Sequence, residues 1–357
     1  MKKVKIGLIG AGNIANTHLD SYMRLKDFCE IVAICDIDVS RLNETADKYG
    51  IANRYPSVDE MLAAHPELDG CDVCVWNCAH AECAVKALRA GKNVLCEKPM
   101  AYNSKEAAEM IKARDESGKL LMIGFVLRFS DTAKIALDFI DKGYLGDIYY
   151  CRAQYVRRHG SPGGWFSDIT KSGGGPVIDL AVHVLDFTRY LAGGPKPVSV
   201  YAATFDNIGR RDYLKTNVGW MPKNAKPSDP NTVEDYGSAL IRYDNGMVTQ
   251  LECSYTLNGP ARTVRELYGT KGGMDLSKDN ELTIWGECNG YLTDYKIDVN
   301  GYKLSDGNMF DSEMKHFIDC INGDATLCAT AEDGLMVMQI LDAIYESART
   351  GHEVVLK

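Results

Sequence analysis

The chain has 357 residues, of which 45% are hydrophobic and 25% charged, and a formal net charge of -9. The acidity excludes a nucleic-acid footprint or an anionic membrane surface, both of which need clustered Lys and Arg; the composition excludes disorder, and no apolar run approaches the roughly 20 residues needed to span a bilayer. Cores usually stop growing at about 250–300 residues, so two domains are expected, with small molecules as partners.

Lys5 interrupts the apolar run of the opening MKKVKIGLIGAGNIA, which therefore reads as a buried strand entering a turn rather than a signal peptide. After strand VKIGLIG (4–10) a helix runs to about Lys26, followed by strand IVAICD (31–36) and a helix from Val39 to Tyr49. Strand CDVCVW, a helix through Ala90, strand NVLCE, a helix over 104–117 and strand LLMIGF complete the series. Strands alternating with helices imply a doubly wound parallel sheet covered on both faces, and the first domain is expected to span residues 1–124.

Gly10, Gly12 and Ala15 form G-x-G-x-x-A, enclosing Asn13 and Ile14, between that first strand and helix. The first glycine allows a tight turn, the second lets the backbone approach a pyrophosphate, and the small third residue lets helix and strand pack closely. The phosphates then meet a helix N-terminus. Asp36 ends the second strand about 20 residues on, where a carboxylate accepts hydrogen bonds from an adenosine ribose and repels the 2′-phosphate of NADP. NAD is therefore the expected cofactor, with NADP less favoured; Arg41, one turn into the next helix, is the residue that could reach a 2′-phosphate.

Twelve cysteines are present, many in apolar runs (Cys35, Cys71, Cys74, Cys96, Cys253), where the thiol behaves as a small hydrophobe and a reducing cytoplasm is expected. Cys71, Cys74, Cys78 and Cys83 have zinc-like spacing, but alternation along a strand sends Cys71 and Cys74 to opposite faces, so no metal is expected.

The second domain, expected over 125–357, begins with a helix (131–142) and a strand (147–156). SGGGPVIDLAVHVLDF (172–187) then reads as an apolar helix with Asp179, His183 and Asp186 on one stripe at about 100° per residue. A hairpin across Asp244, Asn245 and Gly246 and the runs RTVRELYGTKGGMDL and ELTIWG imply a mainly antiparallel sheet, hence an α+β domain closed by helices over 309–322 and 331–349. Residues 206–231, with Tyr213 and Trp220, have no periodicity and read as a substrate lid or subunit contact.

The fingerprint at Gly10, the run AGKNVLCEKP and the run GGGPVIDLAVH together resemble the Gfo/Idh/MocA oxidoreductases, the glucose-fructose oxidoreductase and inositol dehydrogenase family, over nearly the full length. The resemblance implies a Rossmann domain, a mainly antiparallel sheet domain, and a nicotinamide between them. It assigns substrate binding and proton transfer to Lys98, substrate binding to Asp179, acid/base work to His183 and a place near the substrate to Arg128, while Asn77 and Glu97 join Lys98 among the cofactor contacts. Val75, Trp76 and Asn77 stand where family members commonly carry Thr-Pro-Asn, which leaves the cofactor contacts of that turn open; His80 reads as a helix-start histidine, and Asp186 and Tyr190 as anchors of their helix. Oxidation of a secondary alcohol requires a base of near-neutral pKa, which suits His183, and electrostatic stabilisation of an alkoxide, which suits Lys98. The expected activity is NAD-dependent oxidation of a ring alcohol in a sugar, glycoside or cyclitol, or the reverse reduction. Some relatives of this fold act on C3 of glycosides, and the Trp220 loop could accommodate an aglycone. A glycosidase-like enzyme using NAD without net redox and a repressor-like NAD-binding protein are the alternatives; the trio Lys98, Asp179 and His183 argues against the second. The family also implies a homo-oligomer, dimer or tetramer.

Overall fold

A computed structural model describes residues 3–211, 213–215, 221–222, 225–226, 228–302, 304–305 and 307–356. It divides into two compact units, one of residues 1–129 with 305–335 and the other of 130–304 with 336–357.

The first unit is built on a six-stranded sheet in the order β3-β2-β1-β4-β5-β6. In chain order its elements are β1 (Val4–Ile9), α1 (Asn13–Arg24), β2 (Cys29–Cys35), α2 (Val39–Tyr49), β3 (Asn53–Tyr55), α3 (Val58–Ala64), β4 (Gly70–Val73), α4 (Asn77–Arg89), β5 (Asn93–Glu97), α5 (Ser104–Ser117) and β6 (Leu121–Gly124). Every pairing in this sheet is parallel, and Ile6, Leu8 and Ile9 of β1 are buried, as strands covered on both faces require. Side-chain caps start several of the helices: Asp38 accepts from Arg41 N before α2, and Asn103 from Glu106 N before α5. The sequence reading passes over β3 and α3, which are too short to show a period, although Ser57 accepting from Glu60 N is a readable capping signal.

Edge strand β6 is not left open. Ile123 N donates to Ala329 O at 3.1 Å, and Met122 bridges antiparallel to Thr330. With α9 (Met309–Asn322), this segment belongs to the first unit, whereas the sequence reading assigns it to the second domain. Its ties are ionic as well as backbone: Arg24 forks onto Asp311 through Nε and Nη2.

The second unit carries a nine-stranded mixed sheet, β14-β13-β12-β11-β7-β10-β9-β8-β15. Its elements are α6 (Asp131–Asp141), β7 (Ile148–Val156), α7 (Ile169–Ser172), α8 (Val182–Leu191), β8 (Pro197–Phe205), β9 (Tyr236–Tyr243), β10 (Val248–Ser254), β11 (Arg262–Gly269), β12 (Gly273–Lys278), β13 (Glu281–Cys288), β14 (Tyr291–Asp298) and β15 (Val354–Val355). The last helix, α10 (Ala331–Thr350), starts in the first unit and ends in the second. Only β7 and β10 pair in parallel; the other ladders are antiparallel. β8 and β14 go unnamed in the sequence reading, and β14 is too exposed to show an apolar face.

Residues 177–191 depart from a regular helix. Val177–Ala181 form a π-helical turn before α8 begins, and its i→i+5 bonding widens the spiral. Within this stretch Asp179, His183 and Tyr190 are partly accessible, while Asp186 is buried.

Candidate functional site

In the first unit, Gly10 has φ +101°, and a Cβ there would run into the carbonyl of Cys74, so only glycine fits. Gly12 is different, because a Cβ there would meet no protein atom within 4 Å. Nothing in the protein itself demands glycine at that position; the open space is a cradle a ligand's phosphates would fill. Gly12 precedes α1 as its N-cap and gives no side-chain cap, and the first turn carries no acid, which leaves the N-terminal amides for a ligand in that space. Asn13 and Ile14 form the first helical positions, and Ala15 is fully buried against the core of β1, β2 and α2.

Asp36 braces the same turn. Its Oδ2 accepts from Ala11 N at 2.7 Å and its Oδ1 from Asp38 N at 2.8 Å, while Thr45 Oγ1 donates to Ala11 O. A carboxylate has about four acceptor positions, so capacity remains for ribose hydroxyls. The residues present fit a dinucleotide.

Lys98 lies just past the C-terminal end of β5, the edge at which open α/β sheets bind ligands. Its backbone N–H donates to Oε2 of Glu97 at 3.0 Å. The other carboxylate oxygen of Glu97 receives Nε2 of His18 at 3.0 Å, and His18 Nδ1 lies 2.8 Å from Asp72 Oδ2. Cys74 Sγ approaches both His18 Nδ1 and Asp72 Oδ1 at 3.4 Å. Polar atoms of His18, Asp72 and Cys74 lie within 4.8 Å of one another, at the spacings of a hydrogen-bonded network. Burial lowers the His18 pKa, but Cys74 and Asp72 outweigh it and push the imidazole well above its ordinary value. Glu313 of α9, fully buried beside this cluster, is pushed well up by burial and then by Glu97. Glu97, expected among the cofactor contacts, is 6% exposed, with the carboxylate turned to His18.

On the other side of Lys98, His80 Nδ1 donates to the carbonyl of Pro99 at 2.7 Å, and Nε2 faces Val75 O at 3.2 Å. Burial pulls the His80 pKa down, so the ring is neutral and only one nitrogen carries a proton. His80, read from the sequence as a helix-start residue, ties the β4–α4 turn to Pro99. Asn77, the first residue of α4, is 5% exposed.

Arg128, expected near the substrate, is 4% exposed, and its Nη1 donates to Cys328 O at 2.6 Å and Asp333 Oδ2 at 2.9 Å. These contacts fasten the end of the first unit to its returning segment.

In the second unit, Tyr255, just beyond β10, donates its hydroxyl to Asp179 Oδ2 at 3.0 Å. Burial and then the Asp179 carboxylate push the Tyr255 pKa well up, so the phenol stays a donor. Arg157, at the end of β7, donates to Tyr155 Oη at 2.9 Å and lies within electrostatic reach of Asp179 and Tyr255. Burial opposes its charge, but Tyr155, Asp179 and Tyr255 outweigh that and hold the guanidinium protonated.

Glu234 caps the segment that bears Asp179. Its carboxylate accepts from Gly175 N at 2.9 Å, Val177 N at 3.0 Å and Tyr345 Oη at 2.9 Å. A Cβ at Gly174 would strike Tyr345 Oη, and one at Gly175 the carbonyl of Glu234, which explains two of the three glycines. At the same end of the sheet, Ile208 N and Gly209 N donate to Asp235 Oδ2, and Gly164 N donates to Asp229. Tyr213 is exposed, and Trp220, considered above for an aglycone, lies outside the described residues.

Sequence reading missed His18, Tyr255, Glu234 and Arg157. His18 had a readable signal, since it shares the buried face of α1 with Ala15, Leu19 and Tyr22. The others act across the sheet, which spacing along the chain does not reveal.

Residues 4–125 match the family model described as "Oxidoreductase family, NAD-binding Rossmann fold", and residues 138–356 match "Oxidoreductase family, C-terminal alpha/beta domain". The chain belongs to the Gfo/Idh/MocA oxidoreductase family. It is 33% identical over 356 residues to D-glucoside 3-dehydrogenase of Escherichia coli (strain K12), covering 99% of this chain and 97% of that protein. Levoglucosan dehydrogenase of Pseudarthrobacter phenanthrenivorans is 26% identical over 384 residues, covering 98% of this chain and 97% of that protein. Among solved structures, levoglucosan dehydrogenase in complex with NADH and levoglucosan superposes with a TM-score of 0.85 at 24% identity, covering 99% of each chain, which shows the shared fold. As a Gfo/Idh/MocA member the chain is a dehydrogenase acting on CH–OH groups. Among the described residues no disulfide joins any of the twelve cysteines, and no helix is long and apolar enough to cross a membrane.

Proposed function

We propose that this protein is an NAD-dependent dehydrogenase that oxidises the C3 hydroxyl of D-glucosides, or reduces the corresponding ketone. The observation that carries the reading is the full-length likeness to D-glucoside 3-dehydrogenase, together with Lys98, Asp179 and His183 at the family's motif positions. Two likenesses at lower identity, to levoglucosan dehydrogenase and D-apiose dehydrogenase, keep the substrate class among carbohydrates.

Bound NAD supplies a hydride acceptor. The amides at the start of α1 and the space over Gly12 hold its phosphates, and Asp36 accepts from its adenosine ribose. Lys98 places an ammonium at the substrate hydroxyl and lowers the cost of developing negative charge there. His183 takes the hydroxyl proton, and Asp179, oriented by Tyr255, binds a neighbouring hydroxyl. Arg128 serves by holding its own unit together instead of touching substrate. Residues 206–231 contribute aglycone selection.

The test is a spectrophotometric screen in which methyl glucosides, free hexoses and inositols are each offered with NAD or NADP. Steady NADH formation, fastest with a glucoside and giving a 3-keto product by NMR, is expected. Turnover without net NADH would point to the glycosidase-like route, and no turnover of any ring alcohol in either direction would overturn the reading.

A further inference from the structure

The turn that carries Lys98 is gripped from both sides by buried histidines that do not themselves reach solvent. On the N-terminal side, the chain of contacts runs from Asp72 Oδ2 to His18 (2.8 Å), from His18 to Glu97 Oε1 (3.0 Å), and from Glu97 Oε2 to the backbone N–H of Lys98 (3.0 Å). On the C-terminal side, His80 Nδ1 holds Pro99 O at 2.7 Å while its other nitrogen faces Val75 O at 3.2 Å. His18 and His80 are 0% and 1% exposed.

We infer that His18 and His80 are positioning residues, a two-sided clamp that fixes the Lys98 backbone so that its ammonium meets the substrate oxygen at one place. This rests on the role proposed for Lys98 above. The physical need is plain: a lysine side chain has four rotatable bonds, and any play in its backbone is amplified at Nζ, where a misplacement of about 1 Å costs on the order of 10²-fold in rate. The two grips differ in kind. His18 sits between the carboxylates of Asp72 and Glu97 and joins β4, α1 and β5 by charge-assisted bonds, whereas His80 is a neutral ring joining α4 to a carbonyl. Fully buried ionisable groups are retained at a desolvation cost. Both histidines spend theirs on the residues flanking Lys98.

The experiment uses the full chain and the variants His18→Leu, His18→Gln, His80→Ala and His80→Asn. Gln keeps a donor near the place of Nε2, and Asn keeps one near Nδ1. His18→Leu and His80→Ala should each lower kcat roughly 10²-fold, with NADH affinity and substrate KM changed less than about threefold, and Gln and Asn should recover a large part of the loss. In a Lys98→Ala background the same substitutions should have no further effect on kcat. Equal losses with and without Lys98, or losses matched by weakened NADH binding, would assign the histidines to general stability and overturn the clamp. Exchange of the Lys98 amide, followed by NMR, decides the matter independently of activity: it should quicken at least tenfold in His18→Leu or, if that variant does not fold, in His80→Ala. Unchanged exchange would overturn the clamp even in an active enzyme, and quickened exchange in a protein that oxidises no ring alcohol would leave the clamp standing while the proposed function fails.

Discussion

Tyr255 and Asp179 are joined by one hydrogen bond of 3.0 Å, donated by a phenol that is itself 1% exposed. A fully desolvated donor on one oxygen fixes the plane of the carboxylate that is proposed to bind substrate. Tyr255→Phe keeps the ring and removes the donor, and hydrogen bonds to charged groups are worth about 1.5–3 kcal/mol. Steady-state kinetics should show kcat/KM for a glucoside reduced about 10- to 100-fold, with NADH affinity unaltered; unchanged kcat/KM would show that Asp179 needs no orienting.

Removing the groups proposed to handle the proton should separate chemistry from cofactor binding. Lys98→Ala and His183→Ala are each expected to lower kcat/KM by roughly 10²–10⁴-fold while fluorescence titration shows NADH bound as in the native protein. Concurrent loss of NADH binding in both would contradict the roles proposed for them.

Asp36 offers a test of the cofactor half. Asp36→Ala removes the carboxylate that holds Ala11 N and the proposed ribose contact, so NAD affinity should fall about tenfold or more. NADP should lose less, because a 2′-phosphate no longer faces an anion. Equal weakening of both cofactors would confine Asp36 to shaping the turn.

The pH dependence of stability follows from two buried groups. His18 faces Asp72, Cys74, Glu97 and Glu313 and is raised well above 6.5; Glu313 is raised well above 4.5, first by burial. In each case the folded state binds the proton more tightly than the unfolded chain, so stability falls as pH climbs through the raised values. The contribution from His18 is complete below pH 6.5, and that from Glu313 below pH 4.5. Glu313→Gln removes the second term, so its Tm relative to the native protein should rise steadily as pH increases. A difference independent of pH would mean that Glu313 is not held protonated.

Glu234 should matter to both stability and turnover. Glu234→Ala strands the amides of Gly175 and Val177 and the hydroxyl of Tyr345, costing about 2 kcal/mol by the scale of helix caps. Denaturant titration should show that loss, and kcat should fall with it because Asp179 begins the next turn; a stable but inactive variant would show a purely positional role.

Much of this was legible in the sequence where chemistry is local. The glycine turn, Asp36 and the alternation of strands with helices are short-range patterns, and the strand edge bearing Lys98 follows from them. What stayed hidden depends on separation along the chain. His18 to Glu97 spans 79 residues and Tyr255 to Asp179 spans 76, and no period encodes either pair. The π-helical turn was hidden for another reason: composition favours a helix over Val177–Ala181 but carries no mark of which i→i+n bonding it adopts.

The return of residues 305–335 to the cofactor unit bears on how such chains can be recombined. Strand β6 takes its edge from Ala329 and Thr330, Arg24 its partner from Asp311, and Arg128 its partners from Cys328 and Asp333. A chimera made by a single crossover near residue 129 would therefore graft a foreign edge and foreign acids onto these groups. Exchange of substrate modules between family members needs paired crossovers, with the 305–335 stretch inherited alongside the glycine turn although some 300 residues separate them in sequence.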